Sequence, residues 1–254
     1  SLEFMSDGAL RVEDKKAGLH MDIPAKSNVM LSPSPDGIIV SSKEVTNTYK
    51  NRLYVYSLDN QTFTKILSYK RSYGNPSYRG KFEITCTSGK LNLINEVPLE
   101  SYLCQVVPSE MPPSFGLEAL KAQAVAARTY AVSDLLSSRF ASIGFHVDDS
   151  TMSQVYNNYS ENALANRAIN ETKGLVLKYN GELVDAKYYS TSHGYGANSD
   201  EIWSSNGKFP GNKSPYFMVK SYLIDGKEYN LSSEEEASRF FKDWTLKGYD
   251  SNSP

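Results

Sequence analysis

At 254 residues, with 27 basic against 29 acidic side chains and a formal net charge of -2, the chain is long enough to bury a full core. It has no long run of one charge, so the electrostatic footprint of a nucleic-acid-binding protein is missing and no nucleic-acid partner is expected. Its aromatics are skewed, 18 tyrosines against 2 tryptophans, which suits half-buried strands and equally suits surfaces that meet polar, ring-shaped ligands.

The chain opens Ser1-Leu2-Glu3-Phe4-Met5, which reads as a cloning scar, and residues 1–20 are expected to be a disordered lead. From Ser27 to Leu93 short apolar or alternating runs recur: Gly37 to Val40, Leu53 to Tyr56, Phe63 to Leu67 and Phe82 to Cys86. Turn-forming clusters separate them, at Asp59-Asn60, Gly74-Asn75-Pro76 and Ser88-Gly89. Such spacing predicts strands and a β-rich part over 21–96. Cys86 and Cys104, the two cysteines, stand in no metal-ligand spacing. They read as buried thiols, or as a disulfide in an oxidising compartment, and sequence does not fix the geometry that would decide.

Past Val97 the character changes. An alanine-rich run from Leu117 to about Phe140 predicts a helix, with Ser114 as its N-cap and Leu120, Ala124, Ala127, Ala131 and Leu135 on one face. A second helix is expected from about Glu161 to Lys173, stopped by Gly174. Asn180-Gly181, between two β-prone runs, predicts a hairpin turn. A last helix is expected from Ser233, where Glu236 completes capping-box spacing, to about Trp244.

The stretch from Leu99 to Ala131, with Val106-Val107-Pro108-Ser109-Glu110-Met111-Pro112 ahead of the alanine-rich helix, resembles the signature of the SpoIID/LytB family. That family comprises the stage II sporulation protein D and the amidase-enhancer proteins. Tyr78-Arg79-Gly80, Gln154-Val155-Tyr156, Ser190-Thr191-Ser192-His193-Gly194 and Ile202-Trp203 extend the resemblance, which covers roughly residues 78 to 203.

The resemblance implies a lytic transglycosylase that cleaves the MurNAc-GlcNAc bond of peptidoglycan to 1,6-anhydro ends, with Glu110 as acid and then base. Ordinary glycosidases need two carboxyl groups. Here the muramic-acid 6-hydroxyl of the substrate attacks, so one carboxyl suffices. Such a group must hold its proton near neutral pH, which apolar walls favour, and Val106, Val107, Pro108, Met111 and Pro112 are candidates for those walls. The blander reading of Glu110 is a carboxylate placed near a helix N-terminus.

Gln123 and Tyr130, seven residues apart on one helix face, and Arg128 on another, fall in the family's motif as substrate-binding candidates. Helix packing is the alternative for the first two, and an ion pair for Arg128. Gln154 and Tyr156 alternate on an extended segment and so project together, toward sugar substituents or into strand packing. Ser190, Thr191, Ser192 and His193 are expected to line the site as a loop. A serine hydrolase built on Ser192-His193 is disfavoured, because adjacent residues of an extended segment point apart and no Gly-x-Ser-x-Gly elbow exists. Some family members carry a Cys/His metal cluster before Gln-Val-Tyr. Met152 and Ser153 stand at those positions, so no zinc and no cofactor are expected.

These readings predict an α+β protein with a β-rich N-terminal part packed on a mixed helical and β catalytic part over 97–212. A substrate cleft is expected between them, lined by Glu110, Gln154 and residues 190–193. Residues 213–254 are expected to be a truncated α/β extension. The expected partners are peptidoglycan glycan strands and, through the amidase-enhancer resemblance, another wall hydrolase such as an amidase. The expected location is extracytoplasmic, at the wall or anchored to a membrane, with the targeting segment absent from this sequence. A non-catalytic, wall-binding enhancer of a peptidoglycan amidase is the alternative function.

Overall fold

In a computed structural model, residues 1–43, 45–59, 62–190, 194–224, 229–231 and 233–248 are described. The protein is α+β, and it divides into two compact units, Ser1–Ala186 and Lys187–Pro254.

Among the described residues the first unit begins with eleven strands: β1 (Leu2–Ser6), β2 (Leu10–Asp14), β3 (Leu19–Ile23), β4 (Val29–Ser34), β5 (Gly37–Ser41), β6 (Thr46–Tyr49), β7 (Leu53–Ser57), β8 (Thr64–Ile66), β9 (Ser77–Tyr78), β10 (Lys81–Thr87) and β11 (Lys90–Glu96). They form two antiparallel sheets, ordered β6-β5-β4-β1-β8-β9 and β11-β10-β7-β2-β3. Alternate residues of each sheet face a shared core, where Phe4 of one meets Phe82 of the other with ring centroids 5.4 Å apart. The sequence-predicted runs at residues 37–40, 53–56, 63–67 and 82–86 all lie in or overlap strands.

The lead expected over residues 1–20 is instead part of the sandwich. β1 and β2 are interior strands of their sheets, with Phe4, Leu10 and Val12 buried. Buried residues alternate along both strands, the period-two pattern of a half-buried strand.

After the sandwich come α1 (Leu99–Glu110), α2 (Leu117–Ser137), α3 (Ala163–Glu171) and a small hairpin of β12 (Lys178–Tyr179) and β13 (Glu182–Leu183). On α2 the residues Leu120, Ala124, Ala127 and Ala131 are buried as the periodicity predicts, but Leu135 is exposed because the helix has run past the core. Ser114 is not its cap. It lies in an exposed 3-10 turn, Pro113–Phe115, and Gly116 at φ 92° is the residue that turns the chain into α2. α3 is shorter than expected: Asn162 Oδ1 accepts from the Leu164 and Ala165 N–H groups and starts it, and Thr172 ends it ahead of Gly174. Asn180 and Gly181 both have positive φ, 49° and 87°, as the predicted hairpin turn requires.

A run of aromatic contacts joins the sandwich to the helices. Phe82 meets Tyr78, Tyr78 meets Tyr156, and Tyr156 meets Tyr102 on α1, with centroids 5.3, 5.6 and 4.9 Å apart. Part of the tyrosine excess therefore serves the core.

The second unit holds α4 (Ser199–Ile202) and α5 (Glu234–Lys242). Ser233 Oγ accepts from the Glu236 N–H as the capping pattern predicts, and the helix ends two residues short of Trp244. Phe240 is buried there against Tyr195 and Tyr229. Among the described residues no helix is long and apolar enough to cross a membrane.

Candidate active site

Glu110 is the last residue of α1, a helix that local sequence pattern does not predict. Leu103, Val106 and Val107 are fully buried, and Glu110 follows one turn after the last two on the same stripe. Its side chain is therefore carried at the margin of the core, half-buried. Met111 N–H closes the helix on Val107 O at 3.0 Å, and the chain then leaves as extended backbone. Of the expected apolar walls, Val106, Val107 and Pro108 are buried and Met111 packs on the core, but Pro112 is exposed.

The carboxyl is held by a distant segment. Glu110 Oε1 accepts the backbone N–H of Val155 at 2.5 Å. Two flanking side chains fix that N–H. Gln154 Oε1 accepts from the Tyr102 hydroxyl at 3.1 Å, and its Nε2 donates to Ala127 O at 3.2 Å. Tyr156 packs on Tyr102 and donates its hydroxyl to Asn95 Oδ1 at 2.6 Å. Gln154 and Tyr156 do project the same way, as alternation predicts, but into the interior, with exposures of 0% and 6%. Their observed bonds are architectural: they clamp a strap, residues 154–161, whose Val155 N–H reaches Glu110. Burial pushes the Tyr156 phenol well above its usual pKa.

Ser109, beside Glu110, pins the next part of the strap. Its Oγ donates to Gln105 O at 2.7 Å and accepts from the N–H groups of Asn158 and Tyr159 at 3.0 and 3.2 Å. Asn157, fully buried at φ 56°, donates its backbone N–H to Gln105 O and its Nδ2 to Ser77 O, at 3.1 and 2.8 Å. Ser109 lay inside the quoted motif, so its position was available in sequence, but nothing there distinguished its hydroxyl from that of an ordinary loop serine.

Arg128 is not open to a ligand. It is 1% exposed, and its guanidinium grips Glu100 through Nε and Nη2 at 2.9 and 2.8 Å. It also donates to Leu175 O at 3.1 Å and Ile169 O at 3.3 Å. One side chain thus ties α1, α2, the end of α3 and the chain beyond it. The ion-pair alternative is the one the structure bears out. Gln123 is 7% exposed, and its Nε2 is buried with no hydrogen-bond partner. Tyr130 is half-buried, its hydroxyl 3.4 Å from Arg139 Nη2.

Arg139 also reaches Asp134 Oδ2 and Ser153 Oγ, both at 2.8 Å. Ser153 Oγ in turn accepts the Asp148 N–H at 3.1 Å. The segment in which some family members carry a Cys/His cluster is thus braced here by hydrogen bonds around a serine. Cys86 and Cys104 are free thiols, and burial pushes Cys104 up to about 11. Ser190 is exposed and belongs to the second unit, while Thr191, Ser192 and His193 lie outside the described residues.

Residues 87–179 match the SpoIID family model, described as stage II sporulation protein. The amidase enhancer of Bacillus subtilis (strain 168) is 46% identical over 120 residues, covering 47% of this chain and 15% of that protein. Stage II sporulation protein D of the same organism is 39% identical over 126 residues, 44% of this chain and 37% of that protein. Its counterpart from Bacillus amyloliquefaciens is 37% identical over 126 residues, with the same two shares. The aligned stretch spans well under half the length of each relative. The matched residues run from the end of β10 to β12 and take in α1 with Glu110, α2, the strap and α3. Residues 87–179 thus carry a SpoIID domain.

Proposed function

We propose that this domain is a peptidoglycan lytic transglycosylase that cleaves the MurNAc-GlcNAc bond without water. Glu110 gives its proton to the glycosidic oxygen as the bond to the muramic-acid C1 breaks. The 6-hydroxyl of the same muramic acid then attacks C1, and its proton passes to the Glu110 carboxylate. The product is a 1,6-anhydro end and a regenerated acid, so one carboxyl carries both proton transfers.

The observation that carries this reading is the Val155 N–H on Glu110 Oε1. A fixed donor on one oxygen sets the plane of the carboxyl, the kind of preorganisation acid catalysis uses. The substrate class is taken from the family, and with it an extracytoplasmic location at the wall. Gln123, with a buried and unpaired Nε2 seven residues before Tyr130 on α2, is the remaining substrate-facing candidate of the helix.

Incubating the protein with glycan strands, with and without stem peptides, and weighing the products by mass spectrometry tests the proposal. Anhydro-muramic ends are expected from the wild type and not from Glu110→Gln. Undiminished product from the variant, or none from the wild type, overturns it. The second result would favour the other reading, a wall-bound stimulator of an amidase, which the name of the 46%-identical relative supports.

A further inference from the structure

The outer face of the six-stranded sheet carries a row of half-buried side chains. Met5 pairs with Lys65 and Lys65 with Ser77 across β1, β8 and β9, while Phe4, Ser6, Thr64, Ile66 and Tyr78 alternate into the core. Over that row lie α1 and the far end of the strap. Between them is a cavity of about 320 Å³, at the small end of ligand sites, whose lining includes Asp7, Lys65, Tyr73, Gln105, Ser160 and Glu161.

Gln105 gives the cavity its chemistry. It is 1% exposed and donates Nε2 to Ser77 O at 2.6 Å, yet its buried Oε1 accepts no hydrogen bond. A buried acceptor without a partner is costly, and a donor brought by a ligand would relieve it. The other acceptors are the carboxylates of Asp7 and of Glu161, which Arg79 holds bidentately at 2.6 and 3.0 Å. Lys65 is the one cationic donor in the lining. Acceptors therefore prevail, which suits a neutral group rich in O–H and N–H donors. A peptide carboxylate would instead face two carboxylates.

We infer that this cavity is a second sugar site, taking one N-acetylated hexose of a glycan through the Gln105 side-chain oxygen and the Asp7 and Glu161 carboxylates. The inference rests on the glycan reading above but not on its chemistry. Gln105 precedes Glu110 by five residues, which puts the two about 140° apart around α1. One face of the helix would work on the glycan and another would hold it.

Titrating isotope-labelled protein with N-acetylglucosamine, and in parallel with an Ala-Glu dipeptide, tests the site by NMR. Saturable shifts of the Gln105 side-chain amide and the Ser160 amide are expected with the sugar and not with the dipeptide. The double variant Asp7→Asn, Lys65→Ala should weaken sugar binding about tenfold, as for loss of one good hydrogen bond. Glu110→Gln should leave it unchanged, so loss of catalysis and loss of this site are read separately. No shift at Gln105, equal affinity in the double variant, or a response to the dipeptide alone overturns the inference.

Discussion

Glu110 and Val155 meet through one bond, carboxyl oxygen to backbone N–H at 2.5 Å, between the end of α1 and the strap. Because the donor is backbone, only proline removes it without shortening the side chain. Val155→Pro should abolish anhydro-product formation and cost about 1 kcal/mol of stability, the net worth of an ordinary hydrogen bond. Val155→Ala keeps the N–H and should keep most of the activity. Product analysis with parallel urea melts separates the two effects, and equal activity in both variants would remove this bond from the mechanism.

Ser109 serves the same geometry from the other side. Ser109→Ala removes the acceptor of the part-buried Asn158 N–H and of the exposed Tyr159 N–H, so a loss of about 1 kcal/mol is expected. Turnover should fall with it, since the strap that aims Val155 is loosened. Hydrogen exchange of the Asn158 and Tyr159 amides should accelerate, and unchanged protection there would count against the role.

The sandwich strands, the α2 face, the hairpin turn and the SpoIID resemblance of the helical domain could all be read from sequence, because each depends on local periodicity or on one quoted motif. The missing element was α1 itself. Val106-Val107-Pro108 carries two β-branched residues and a proline, and propensity alone argues against a helix there. Tertiary burial of Leu103, Val106 and Val107 overrides it. The roles of Gln154, Tyr156 and Arg128 stay open in sequence for a different reason. A polar side chain looks alike in sequence whether it binds ligand or satisfies buried backbone, and only the partners Tyr102, Ala127, Asn95 and Glu100 decide.

Gly80, in the Tyr78-Arg79-Gly80 run, is explained by space. Its φ is 78°, and an added Cβ would lie 2.2 Å from Glu96 O, a backbone atom of the paired strand. Gly80→Ala should therefore lower stability by more than about 1 kcal/mol, strain and clash adding together. Thermal melting checks this. The expected loss lies in the fold, so a variant that stays folded should still form anhydro product.

Glu100 supplies the pH dependence. Burial raises its pKa, but the Arg128 hydrogen bonds and charge, the Gly174 N–H and Lys173 outweigh that and hold the carboxyl below the usual carboxylate range. A pKa depressed by folding contributes stability that is fully present above the unfolded value and is lost as pH falls through the folded one. Glu100→Gln leaves the buried Arg128 guanidinium without its counter-charge, and at neutral pH should cost about 3 kcal/mol. Below the folded pKa the wild-type residue is protonated too, so the gap between the variants should close. Urea denaturation of both from pH 7 down to pH 3 measures this, and a gap that stays constant across that range would show that the Glu100 charge is not what secures Arg128.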